Sequence, residues 1–120
     1  MRLSKYVKIN LNMKILFLDT ETTGNDLEKD RLAEVCYKIR GDGTIHTELF
    51  KPPLPMSVKS MSVTHITNEM LANKIPFEDS EFKKRLEALL KDHTLVAHNA
   101  LFDIAMLQAE GLSVPSFIDT

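Results

Sequence analysis

The sequence predicts an α/β domain, and three observations predict it. Residues 14–18, Lys-Ile-Leu-Phe-Leu, form an apolar run of strand length that ends ahead of the turn-forming Thr22-Thr23-Gly24. Residues 32–40 and 44–50 are further strand-type runs joined by Gly41-Asp42-Gly43, the chemistry of a hairpin turn. Beyond residue 79 the period changes: Phe82, Leu86, Leu89 and Leu90 recur at helical spacing, a short strand follows at 94–97, and a second helix at 100–110.

Taken in order, residues 1–13 carry charges that interrupt every apolar patch, which excludes a signal peptide and a membrane span. They are expected to form a loose or edge-packed extension, with Met13 a possible native start, and 14–120 forms the domain. The first strand delivers Asp19 and Glu21 at its end. Side chains on a strand alternate, so these two acids share a face. Residues 25–31 are polar and predict a loop. The second strand holds Cys36 between Val35 and Tyr37, which suggests a core thiol. Three prolines at 52, 53 and 55 end the third strand, because proline supplies no ladder donor.

Residues 57–73 carry short helical signals, with Thr67 an N-cap candidate. Asp79 or Ser80 caps the next helix, whose Lys83, Lys84, Glu87 and Lys91 form a solvated face. His98-Asn99 breaks the fourth strand before a helix with apolar spacing through Leu101, Ile104, Ala105 and Leu107, closed by Gly111. Asp103 falls in the first turn of that helix.

Two carboxylates side by side repel and resist joint ionisation. A divalent cation between them relieves this, and oxygen-only ligands suit Mg²⁺ or Mn²⁺. The other reading is that the acids begin a turn, and that Asp103 faces solvent and favours the helix dipole. The three acids together favour a shared metal site. A formal charge of -2 argues against bulk electrostatic coating of nucleic acid but is compatible with action on one strand end. With Cys36 the only cysteine, an internal disulfide and a cysteine metal cluster are excluded, in keeping with a reducing cytoplasm.

Asp19-Thr20-Glu21-Thr22-Thr23-Gly24 and His98-Asn99-Ala100-Leu101-Phe102-Asp103 resemble the first and second motifs of the DnaQ-like, or DEDD, 3'-5' exonucleases. That family includes the proofreading epsilon subunit of bacterial DNA polymerase III. The resemblance runs from about Lys14 to Thr120 and takes in Ile66-Thr67-Asn68-Glu69-Met70 and Phe117-Ile118-Asp119-Thr120. It implies a ribonuclease H-like fold, a mixed sheet with an antiparallel second strand and flanking helices. It also implies that Asp19, Glu21 and Asp103 are three of four carboxylates holding two divalent cations, Mg²⁺ or Mn²⁺, with Asp19 bridging. One cation would activate water against the last phosphodiester and the other would stabilise the departing 3' oxygen, releasing a nucleoside 5'-monophosphate.

By the same resemblance Thr22 and Thr23 would lie against the terminal nucleotide, His98 and Asn99 would line the pocket, and Phe102 would stack beside a base or sugar. For His98 a hydrogen-bonded structural role is the alternative, and for Phe102 plain core packing. The implied partner is the single-stranded 3' end of a nucleic acid. Thr20 and Thr22 match the form common in the DNA-directed branch, which favours DNA over RNA, and a DNA polymerase subunit is a further implied partner. RNA trimming is the enzymatic alternative, and a catalytically incompetent module that binds a nucleic-acid end or a polymerase is the non-enzymatic one.

Two departures accompany the resemblance. Many family members carry His-Gly where this chain has Thr64-His65, and His65 is expected to be a turn or surface histidine. The family's third motif, which supplies a general-base histidine and the fourth carboxylate, has no counterpart; Asp119 matches instead the aspartate that closes the following strand. The expectation is therefore a C-terminally incomplete domain, with apolar sheet surface left bare, a tendency to self-associate, and weak or no activity alone.

Overall fold

The computed structural model describes residues 12–120. The expectation for the N-terminal extension lies, over residues 1–11, outside the described residues. Five strands form one sheet in the order β3-β2-β1-β4-β5: β1 is Ile15–Thr22, β2 Leu32–Ile39, β3 Ile45–Leu49, β4 Thr94–Ala97 and β5 Phe117–Asp119. The expected antiparallel second strand is present. β2 runs antiparallel to both β1 and β3, whereas β4 and β5 run parallel to β1 and to each other. Four α-helices and a 3-10 turn at Phe77–Asp79 complete the described chain: α1 (Val58–Thr64), α2 (Asn68–Leu71), α3 (Glu81–Leu90) and α4 (Ala100–Ala109).

β1 is longer than its apolar run predicts. Asp19 and Glu21 stand within the strand, because backbone pairing with β2 continues past Leu18 through Asp19↔Cys36 and Glu21↔Glu34 to an irregularity at Glu21/Thr22. Alternation sends Leu16, Leu18 and Thr20 to one face and Phe17, Asp19 and Glu21 to the other. The first face carries the main core. Leu16, Leu18, Val35, Tyr37, Leu95 and Ala97 meet Phe82, Leu86 and Leu90 of α3 and Ile104 and Leu107 of α4. Edge-to-face rings link Tyr37 to Phe82, Phe82 to Phe50 and Phe50 to Phe77.

Caps explain where the helices begin. Thr67 accepts a hydrogen bond from the Met70 amide, as expected. Of the two candidates before α3, Ser80 holds the cap, accepting from the Lys83 amide. A second cluster, Ala33, Met56, Ile66 and Leu71, fixes the α1–α2 segment under β2. In α4 the expected stripe is displaced: Leu101 is 66% exposed, while Ala100, Asp103, Ile104, Met106 and Leu107 are buried. Gly111 at φ 86° ends that helix.

On the opposite face no helix among the described residues packs; Ile15, Val96 and Ile118 are buried there as a small cluster with Met13, while Phe17 and Ile45 are exposed. Across this face a row of partners, Ile45, Lys38, Phe17, Val96 and Ile118, runs through all five strands. A shallow groove of about 300 Å³ follows this row. Cys36, expected in the core, lies in that groove and is half-buried, because its position opposite Asp19 puts it on this face. No helix among the described residues is long and apolar enough to cross a membrane.

Candidate active site

Asp19 is exposed on β1 and Glu21 half-buried. Directly opposite Glu21 on β2 stands Glu34, so the strand pairing sets two acids face to face, which is destabilising in a sheet. Burial pushes the Glu21 carboxyl up, with Asp19, Glu34 and Asp103 adding repulsion. Glu34 is pushed up by burial and then by Asp19. Sequence reasoning missed Glu34; the signal for it was the hairpin register, which pairs the two glutamates once the turn is fixed.

Asp103 approaches from the helix side. It is 4% exposed, in the first turn of α4, and the Thr20 hydroxyl donates to its Oδ1 at 2.5 Å. Its carboxyl is raised to about 6, chiefly by burial; the Thr20 hydrogen bond acts the other way, and Asp19 and Asp119 add to the rise. Thr20, between the two acids of β1, is thus the residue that ties the strand to the helix. Asp119 closes β5 as expected and accepts from the Ala100 amide at 3.3 Å, at the entrance to α4.

The turn after β1 is built around a residue that sequence reasoning left in a polar loop. Asp30 is buried, accepts from the Thr23 hydroxyl at 2.7 Å and from the Asp26 amide at 2.8 Å, and packs against Gly24. A Cβ on Gly24 would stand 2.5 Å from the Asp30 carboxylate, so only glycine admits this approach. The Thr22 hydroxyl donates to the Gly24 carbonyl at 2.6 Å.

These pieces enclose a cleft of about 310 Å³. One wall carries Asp19, Glu21, Thr22, Asn99, Phe102 and Asp103; the other is α1, with Ser57, Lys59, Ser60, Val63 and Thr64. Asp19, Glu21 and Asp103 are therefore brought together, as are Thr22, Asn99 and Phe102. Phe102 also packs against the main core, the packing role given as its alternative. Two residues lie apart. Thr23 is buried with its hydroxyl bonded to Asp30, and it is absent from the cleft lining. His98 is exposed and borders the groove on the face opposite the main core, where Asp19 is a shared neighbour. His65 closes α1 in the left-handed conformation and is exposed, a turn histidine as expected.

The donor chemistry at this cleft suits a hard divalent cation, being carboxylate oxygens whose mutual repulsion a cation would relieve. Among the described residues, no three His, Cys, Asp or Glu side chains are drawn together tightly enough to enclose a metal ion. The fit is thus one of donor type and location, without a closed ligand shell.

Comparison with known proteins identifies the family and the fold. The family profile described as Exonuclease (RNase_T) matches residues 16–113. A PolC-type DNA polymerase III of Thermotoga maritima is 42% identical over 95 residues, covering 76% of this chain and 7% of that protein. The DNA polymerase III epsilon subunit of Treponema pallidum is 37% identical over 95 residues, covering 77% of this chain and 43% of that one. This chain therefore spans less than half the length of these relatives. Among solved structures, exonuclease X in complex with 5' overhanging duplex DNA has a TM-score of 0.65 at 26% identity, covering 88% of this chain and 58% of that one. Apo exonuclease I, at 19% identity, shares the fold with a TM-score of 0.76, covering 89% of this chain and 29% of that one. With the profile spanning most of the described residues and these relatives aligning with it, this chain belongs to the exonuclease family that includes domains of DNA polymerase III PolC and epsilon proteins.

Proposed function

We propose that this chain is part of a metal-dependent 3'-5' exonuclease that removes nucleoside 5'-monophosphates from a single-stranded end, with DNA favoured over RNA. One observation carries the reading: Asp19, Glu21 and Asp103 line a single cleft and repel one another across it. Asp19, Glu21 and Asp103 would hold Mg²⁺ or Mn²⁺. Bound there, two such ions would supply an acidified water and positive charge beside the departing 3' oxygen.

The chain's own residues do the positioning. Thr20 fixes the Asp103 carboxylate, and Asn99 and Phe102 meet the strand end, Phe102 through its ring face. Thr22 borders the same space, its hydroxyl held by the Gly24 carbonyl. The DNA in the exonuclease X complex and the polymerase context of the PolC and epsilon relatives support a DNA end and a polymerase partner.

The test is shortening of a 5'-labelled single-stranded DNA in Mg²⁺ or Mn²⁺, run beside Asp19→Ala and beside an RNA of the same sequence. Stepwise shortening that Asp19→Ala abolishes is the expected outcome. Shortening that survives Asp19→Ala sinks the proposal. Saturable Mg²⁺ binding that Asp19→Ala removes, with no shortening of either strand, would make the chain a binding module.

A further inference from the structure

The cleft has two walls, and the proposed chemistry uses only one. The other is α1, a seven-residue helix with no buried side chain, and a helix this short is marginal in water unless its ends are held. They are held. At its start the Ser57 amide donates to the Thr23 carbonyl at 3.0 Å, tying α1 to the turn that follows the acid strand. Just upstream, the Asn68 side chain clasps Met56, accepting from its amide at 2.7 Å and donating to its carbonyl at 3.3 Å. Beyond its end, Ile66 is buried in the small cluster with Met56 and Leu71.

Ser57 and Thr64 cap this helix at its ends, but two other side chains it presents to the cleft, Lys59 and Val63, have no such role in the fold. Val63 is 71% exposed, facing a cleft that Phe102 also lines. Lys59 is exposed, and among the described residues it makes no ion pair and is the only cationic side chain lining the cleft. The two walls are thus opposite in charge: carboxylates on β1 and α4, an ammonium on α1. A carboxylate wall suits the reacting phosphodiester only through cations. An unpaired ammonium across the space suits a backbone phosphate directly.

We propose that α1 is the wall that holds the strand upstream of its 3'-terminal nucleotide, with the Lys59 ammonium on a backbone phosphate of that upstream segment and Val63 against a sugar or base. The ligand class is an anionic single strand of at least two linked nucleotides. This rests on the exonuclease reading, and it adds that Lys59 is a binding residue with no part in the chemistry.

Binding measured without turnover tests it. A 5'-fluorescein-labelled oligothymidylate is titrated with the chain in EDTA across a range of salt, and thymidine 5'-monophosphate is titrated alongside. For single strands the logarithm of affinity falls with the logarithm of salt by about 0.7 per phosphate contact. Lys59→Ala should therefore lower that slope by about 0.7 and weaken the oligonucleotide by roughly threefold to tenfold at low salt. Lys59→Arg should keep both, and neither variant should change binding of the mononucleotide. Lys59 is exposed and alanine is a strong helix former, so α1 stays intact in the variant.

If Lys59→Ala leaves the oligonucleotide slope and affinity at the wild-type values, the inference is overturned while the exonuclease reading stands. An equal loss for the mononucleotide overturns the upstream assignment. If the wild-type chain binds neither ligand, with or without Mg²⁺, the exonuclease reading fails and this inference falls with it.

Discussion

Asp103 holds its proton up to about pH 6 in the folded chain, whereas the unfolded chain returns the carboxyl to its ordinary 3.8. Between those values the folded state binds more protons, so the stability from this group is complete below about pH 4 and is lost as pH rises through about 6. A shift of roughly two units corresponds to about 3 kcal/mol as an upper figure. Asp103→Asn carries no such titration. Measured by urea unfolding, the variant should therefore gain on the wild type by about 2–3 kcal/mol between pH 4 and pH 7. A difference that stays flat over that range would mean that burial does not govern Asp103. The same burial has a functional side. Above pH 6 the cleft holds a carboxylate whose charge only Thr20 and a bound cation would offset, which makes Mg²⁺ binding and ionisation of Asp103 favour each other.

At the scale of elements, α1 ends on a residue that the backbone resists. His65 adopts φ 63° and ψ 16°, and its amide donates to the Met61 carbonyl to close the helix. A side chain in the left-handed region costs about 1–2 kcal/mol against glycine, part of which returns through glycine's freer unfolded state. His65→Gly should stabilise the chain by about 1 kcal/mol in chemical denaturation and leave nucleotide binding unchanged. A destabilised variant would show that the imidazole makes a contact worth more than the strain.

The elements also show how far the sequence could be followed. The order of strands and helices, the antiparallel pairing of β2, the Thr67 and Ser80 caps and the grouping of Asp19, Glu21 and Asp103 were all legible, because each rests on local periodicity, cap chemistry or a motif. The far end of β1 was not, because hydrophobicity stops at Leu18 while backbone pairing continues. Asp30 was hidden in a polar loop, since a buried carboxylate and a solvated one look alike until the partners at Thr23 and Asp26 are in place. The α1 wall was hidden for the opposite reason: none of its side chains is fully buried, so no apolar stripe marks them. Cys36 was misplaced because buried neighbours on a strand point to the other face.

For the whole molecule the decisive feature is the exposed apolar patch at Phe17 and Ile45 on the sheet face opposite the main core. Phe17 is 40% exposed and Ile45 63%, on either side of Lys38, whereas Val96 and Ile118 further along the row are buried. Exposed apolar patches of this kind favour association, and the one partner present at high concentration in a purified sample is a second copy. In a two-fold contact the same patch meets itself, so it would be accompanied by its neighbours Asp19 and, further along the strands, Glu21 and Glu34, meeting their own copies. Apolar attraction and carboxylate repulsion therefore oppose each other in one contact. Salt screens the repulsion and leaves the attraction, so self-association should strengthen as ionic strength rises, the reverse of nucleic-acid binding at the cleft. Sedimentation velocity over a concentration series should show the apparent mass rising with salt. Asp19→Asn should shift that curve to lower salt, and Phe17→Ser with Ile45→Thr should abolish association without unfolding the chain, since both side chains lie outside the main core. A chain that stays monomeric at every salt concentration, or associates less as salt rises, would show that this face does not self-associate and that charge on another surface governs the behaviour of the molecule.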